Sequence, residues 1–156
     1  MSFMFNPAIN RIIGQSLNLD TDTLKVMLLN DAGNWTPDRD DEFVDFGAGN
    51  APLDDELNVT NYTGGFAGGG RKTASITTSQ QDANDRIVII LQDITWTTLG
   101  GASNDIVTAG VLIKEVTNDT DSQLIAYFDV PNTLTDGTNF TIDYDQVDGN
   151  IRFNNV

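Results

Sequence analysis

The sequence predicts a mainly β protein, an antiparallel β-sandwich or jelly roll with a short N-terminal helix. Three observations carry this. The apolar fraction is a modest 39%, and the surplus falls on Asn, Asp, Thr and Gly, which suit strands and turns better than helices. Roughly seven or eight short runs rich in β-branched and aromatic residues are separated by turn residues. The two strongest, Ile106-Val-Thr-Ala-Gly-Val-Leu-Ile113 and Leu124-Ile-Ala-Tyr-Phe-Asp-Val130, flank the polar cluster Asn118-Asp-Thr-Asp-Ser122 and read as a hairpin. Val107, Ala109, Val111 and Ile113 share one face of the first run, yet Ile106 and Leu112 make the other face apolar too. Such a strand belongs at the centre of a sheet.

A chain of 156 residues is expected to form one core. Residues 1–19 read as an arm with a short helix, and 20–156 as a single β domain. Asn6 is placed to cap the helix, with Pro7 at its first position. Ile9, Ile12, Ile13 and Leu17 then recur at helical spacing over about three turns. Phe3 and Phe5 precede it as a possible clasp on a neighbour or on the chain's own sheet. Leu24-Lys-Val-Met-Leu-Leu29 is the first clear strand.

From 30 to 61 no strand pattern occurs, and Asp38, Asp40, Asp41, Glu42, Asp45, Asp54, Asp55 and Glu56 gather there. Thr36-Pro37 predicts one helical turn or more running to Phe46, with Phe43 and Val44 inward. A connection this long without regular structure is often a functional surface. In Tyr62-Thr-Gly-Gly-Phe-Ala-Gly-Gly-Gly70, Gly65 and Gly70 have the spacing of a phosphate-binding loop. Arg71 stands where that motif needs Lys, and no helix follows, so a flexible turn is the expectation.

Lys72-Thr-Ala-Ser-Ile-Thr-Thr78 is extended, Gln81-Asp-Ala-Asn-Asp85 turns, and Arg86-Ile-Val-Ile-Ile-Leu91 is a second candidate central strand. Asp93-Ile-Thr-Trp-Thr-Thr98 continues extended, with Ile94 and Trp96 on one face. After Thr135-Asp-Gly137, the run Asn139-Phe-Thr-Ile-Asp-Tyr-Asp145 puts Phe140, Ile142 and Tyr144 inward. Asp148-Gly149 is a hairpin signal, beyond which Ile151 and Phe153 resume the alternation.

A net charge of -15 and a pI near 4.1 argue against nucleic acid and against anionic membrane surfaces. There is no cysteine and no histidine, which removes disulfides, thiolate chemistry, histidine-based nucleophile pairs and histidine metal ligands. No run has the length of a membrane span, and the N-terminus lacks the pattern of a secretion signal. No cofactor is expected. Calcium is the one ion the acidic groups Asp20/Asp22, Asp119/Asp121 and Asp143/Asp145/Asp148 could hold. In the last, Gly149 comes one place too late for an EF-hand and no Glu closes the loop. Asp pairs suited to glycoside hydrolysis are unavoidable in so acidic a chain, as are the Asn-X-Thr triplets, so no enzyme is expected.

Thr21-Asp-Thr-Leu-Lys-Val26 after a short helix resembles the opening of small virion structural proteins of tailed bacteriophages. So do Asn61-Tyr-Thr-Gly-Gly65 with Gly68-Gly69, Ile94-Thr-Trp-Thr97, Leu124-Ile-Ala-Tyr-Phe-Asp129 and Thr135-Asp-Gly-Thr-Asn-Phe-Thr-Ile142. The likeness runs from Asp20 to Phe153, and the 30–61 segment departs from a compact version of the pattern. It implies a capsid cement or head decoration protein, located on the virion, oligomeric, with the major capsid protein as partner. Candidate partner contacts are Phe3, Phe5, Trp35, Phe43, Phe46, Tyr62 and Phe66. A tail-associated carbohydrate-binding or host-adhesion module, or a head–tail adaptor, is the alternative.

Overall fold

Strand β7 (Ile106–Lys114) runs through the middle of a five-stranded antiparallel sheet in the computed structural model, which describes residues 2–47, 49–82, 86–144 and 151–154. Its partners are β2 (Leu24–Leu29) and β8 (Gln123–Leu134), with β1 (Phe3–Met4) and β3 (Lys72–Thr73) at the edges. Every residue from Ala109 to Ile113 is buried, so both faces of β7 are covered, as its apolar pattern requires. The hairpin turn is built as its polar residues predict. The Asn118 side-chain oxygen accepts the Asp121 N–H at 3.0 Å, and the Ser122 hydroxyl donates to the Asn118 carbonyl at 2.7 Å.

Side chains from other segments cover both faces of this sheet. Met27, Val111 and Tyr127 form one cross-strand row, and residues in register share a face. Phe3 stacks on Tyr127 at 5.5 Å, and Trp35 meets Tyr127 edge-on and Phe5 face-on. On the opposite face, Leu28, Gly110 and Phe128 form a row. There β9 (Phe140–Ile142), paired with β6 (Ile94–Trp96), lays Ile142 over Gly110 so closely that an added Cβ would lie 2.9 Å from it. Tyr144 meets Phe128 edge-on at 5.3 Å. A third sheet has the order β10 (Ile151–Asn154), β5 (Arg86–Leu91), β4 (Ile76–Gln81), with β5 central as expected.

The chain is thus mainly β and antiparallel, with one short helix near its N-terminus, α1 (Asn6–Ile13). Several details differ from the expectations. Asn6 lies inside α1, and its side chain donates to Asp40 rather than capping. Ala8 is the buried helix position, while Ile13 is 76% exposed. Within the 1–19 segment, residues 3–5 pack on the chain's own sheet: Phe3 and Met4 pair with β8, the Phe5 N–H donates to the Ile125 carbonyl, and Phe5 is fully buried.

No helix forms between Thr36 and Phe46. Asp38 and Asp41 bond nearby backbone N–H groups instead, the competition that makes Asp a poor helix interior. Residues 42–44 run extended beside the start of β8, with Phe43 bridged to Gln123 and Val44 fully buried. The regular piece of this segment is a 3-10 turn at Pro52–Asp55. The Asp148-Gly149 turn, and the end of the one at 81–85, lie outside the described residues. The strands flanking the former belong to different sheets, β9 beside β6 and β10 beside β5.

Phe5→Ala should cost about 3–5 kcal/mol by emptying a filled site between sheet and loop. Its urea midpoint should fall accordingly; an unchanged midpoint would return the segment to the role of an arm.

Candidate functional site

The glycine-rich loop at 61–70 is held by a buried ion cluster centred on Arg71. The Arg71 guanidinium donates from Nε to Glu56 Oε1 at 2.8 Å and from Nη2 to Glu56 Oε2 at 2.7 Å, a two-pronged pair that suits arginine geometry. Its Nη1 donates to Asp119 at 2.7 Å and to Glu115 at 3.1 Å. Both side chains of the Arg71–Glu56 pair are almost completely buried. Lys25 of β2 adds a second cation by bonding Glu115.

The free lone pairs of these carboxylates organise the loop. Glu56 accepts the Gly65 N–H at 2.8 Å, and Asp119 accepts the Phe66 N–H at 2.8 Å. The Tyr62 hydroxyl donates to Glu56 at 3.1 Å and accepts the Leu28 N–H at 2.9 Å, tying the loop to β2. Trp96 donates to the Gly70 carbonyl at 2.7 Å. Two glycines are demanded by close approach. A Cβ on Gly70 would meet the Tyr62 ring at 2.4 Å, and one on Gly68 the Gly64 carbonyl at 2.3 Å. The expected flexible turn is therefore a fastened loop, and Arg71 is engaged by three carboxylates rather than open to a phosphate.

Burial alone would pull the Arg71 pKa down, but the hydrogen bonds and charges of Glu56 and Asp119 outweigh it and raise it. Burial, then the Glu56 charge, pushes the Tyr62 phenol well above its ordinary 10.0. Burial, then Asp93, likewise raises Tyr144.

Two of the candidate calcium groups are committed elsewhere. Asp22 bonds Lys114 at 2.7 Å, and this hydrogen bond lowers its pKa. Asp119 belongs to the Arg71 cluster, and Asp121 bonds Thr117 and Asn118. Asp143 is exposed, and Asp145 and Asp148 lie outside the described residues. Among the described residues, no group of three or more acidic side chains is gathered to hold a metal.

Of the candidate contacts, Phe5, Trp35 and Tyr62 are buried in the chain's own core and offer a partner no surface. Phe3 and Phe43 are half-buried, covered by the guanidinium groups of Arg39 and Arg11 at 4.9 and 5.6 Å from the ring centres. Phe46 and Phe66 are exposed, at 46% and 39%. The backbone holds these two around one residue: the Asp45 N–H donates to the Asp119 carbonyl at 3.1 Å, and Phe66 to its side chain. Val116, on the same turn, is 46% exposed. Three exposed apolar residues thus lie on the β7–β8 turn or on segments bonded to it. On another part of the surface, a groove of about 450 Å³ is lined by Phe128, Pro131, Phe140 and Tyr144, with Asp129 and Asp143 at its walls.

No protein-family model, curated protein or solved structure matches the chain. No described helix is long and apolar enough to cross a membrane.

Arg71→Ala should destabilise the fold by about 3–5 kcal/mol, because it strands the Glu56 carboxylate in the interior. Hydrogen exchange at the Gly65 and Phe66 amides should quicken with it, and protection equal to wild type would show the loop to be held by other means. A second expectation concerns alkali. The fold keeps the Tyr62 and Tyr144 protons more tightly than the unfolded chain does, so their contribution is intact below pH 10 and is lost as pH rises above it. Unfolding free energies measured from pH 8 to 11 should fall less steeply for Tyr144→Phe than for wild type; identical slopes would remove Tyr144 from the account.

Proposed function

We propose that this chain is a structural protein of a tailed-bacteriophage virion, a cement or decoration protein that binds the assembled capsid and stabilises it. The resemblance of residues 20–153 to such proteins motivates the reading. The observation that carries it is the exposure of Phe46, Phe66 and Val116 on the β7–β8 turn and the segments bonded to it, which the Arg71 network holds in place. Large apolar side chains left exposed offer area to bury against a partner, and a preordered site loses little entropy on docking.

The partner is the major capsid protein, and the chain acts as an oligomer on the capsid surface. It uses no cofactor, catalyses no reaction, and contacts neither nucleic acid nor membrane. A protein that binds the assembled shell but not its separated subunits stabilises assembly by mass action. Symmetry multiplies a small contribution per copy.

A tail-associated carbohydrate-binding module remains the second reading. The groove at Phe140 and Tyr144 favours it, since aromatic rings beside carboxylates suit a sugar. A head–tail adaptor has no feature of its own in its favour.

Capsids lacking the protein should release their genome at lower temperature than complete ones, and purified protein should restore them. The double variant Phe46→Ser, Phe66→Ser should keep its melting temperature yet fail to restore. Equal stability of depleted and complete capsids, or protein found only on tails, would end the cement reading.

A further inference from the structure

The outer edge of β4 carries none of the features that usually protect a sheet edge. Strand β4 reads Ile-Thr-Thr-Ser-Gln-Gln, six residues without a charge or a proline, and among the described residues nothing pairs with its outer side. Natural edge strands are commonly blunted by lysine, proline or a bulge, because their free N–H and C=O groups template further pairing. The backbone phase is also legible. The Ser75 carbonyl accepts the Gln92 N–H on the β5 side at 3.0 Å. Strand groups alternate sides, so those of Ile76, Thr78 and Gln80 point to the free edge.

Charge decides who can approach. The chain carries a net -15, yet no acidic residue occurs between Glu56 and Asp82, a window that contains the whole of β4. Two copies of so acidic a protein repel each other, and this strand adds nothing to that repulsion. A groove of about 460 Å³, lined by Ile12, Leu17 and Leu19 together with Gln15, Asn18 and Asp20, reaches Thr78 beside the strand, and Ile13 is 76% exposed.

We infer that this edge is a self-association site, where β4 of a second copy pairs antiparallel across a two-fold axis at Thr78. Paired residues of antiparallel strands share a face, so a two-fold axis normal to the sheet must pass through a residue position. Centred on Thr78, the pairing sets Thr78 against itself, Thr77 against Ser79 and Ile76 against Gln80. Every outward-pointing backbone group of Ile76, Thr78 and Gln80 then finds a partner. Thr–Thr pairs are favourable neighbours across strands. Ile76 of the second copy lies on the same face as Thr78, toward the groove that Ile12, Leu17 and Leu19 help to line. The inference builds on the oligomeric part of the capsid reading but needs no capsid.

Sedimentation velocity of the full chain over a range of concentrations tests it. Wild type should show a concentration-dependent dimer. Thr78→Lys, which sets two like charges together on the axis, should remain monomeric with an unchanged circular dichroism spectrum. The chain has no cysteine, so Thr78→Cys supplies a unique thiol. Hydrogen-bonded antiparallel partners lie about 5.5 Å apart at Cα, within disulfide reach. Mild oxidation should convert Thr78→Cys to a covalent dimer and leave the exposed control Thr120→Cys monomeric. Monomeric wild type throughout, a dimer indifferent to Thr78→Lys, or no cross-linking at Thr78→Cys would each overturn the inference. Capsid restoration by Thr78→Lys is scored separately, so loss of the dimer and loss of capsid binding are distinguishable.

Discussion

The contact on which the fold most depends is the pairing of Arg71 with Glu56 inside the protein. Through it five stretches that share little regular structure are joined: the exit of the 3-10 turn, the glycine loop, the end of β7, the β7–β8 turn and, through Tyr62 and Lys25, strand β2. Burying ions is costly, and a buried pair is weak evidence for stability as such. Its value here is specificity. Arginine presents five donors in a rigid fork, and three carboxylates take four of them at set angles, so the loop has few alternative positions.

The same cluster explains how so acidic a chain folds. With 23 acidic residues against 8 basic ones, most carboxylates have no cation to pair with. Many bond backbone N–H groups instead. Asp55 accepts the Asn34 and Trp35 N–H groups at 3.0 and 2.9 Å, and Asp54 accepts those of Gly49 and Ala51 at 3.1 and 2.9 Å. In the 30–61 segment these carboxylates replace the hydrogen bonds that a helix or strand would have supplied, as buried backbone requires. What looks in the sequence like a solvated acidic surface is partly an internal scaffold.

How much of this could be read beforehand follows from where local pattern governs. Strands β2 and β5 match their apolar runs to the residue, and the centrality of β7 follows from having no polar face. Local pattern says nothing of partners distant in the chain, and the misplacements share that cause. Trp35 and Tyr62 looked available because no periodicity surrounds them, yet each fills a core site reached by a long irregular path. Ile13 fitted a helical stripe, but α1 ends at that residue and the stripe has nothing further to cover. The Arg71 cluster spans residues from 25 to 119, beyond any spacing rule. One signal was present in the chain: an arginine directly after a glycine run, in a protein with few cations to spare.

That scarcity also shapes what the surface offers to partners. Lys25, Arg71 and Lys114 are engaged with carboxylates, and Arg11 and Arg39 cover aromatic rings. With these cations engaged, long-range attraction to the chain would favour basic partners, while contact at close range relies on uncharged groups. Among the described residues two such places differ in kind. Phe46, Phe66 and Val116 offer apolar area around a fastened turn, which suits a shaped pocket on a different protein. The β4 edge offers backbone hydrogen bonds and little area, which suits another strand. An apolar cluster gains from burial whatever backbone lies opposite, whereas a strand edge gains only from a strand in register. One surface therefore selects by shape and the other by direction.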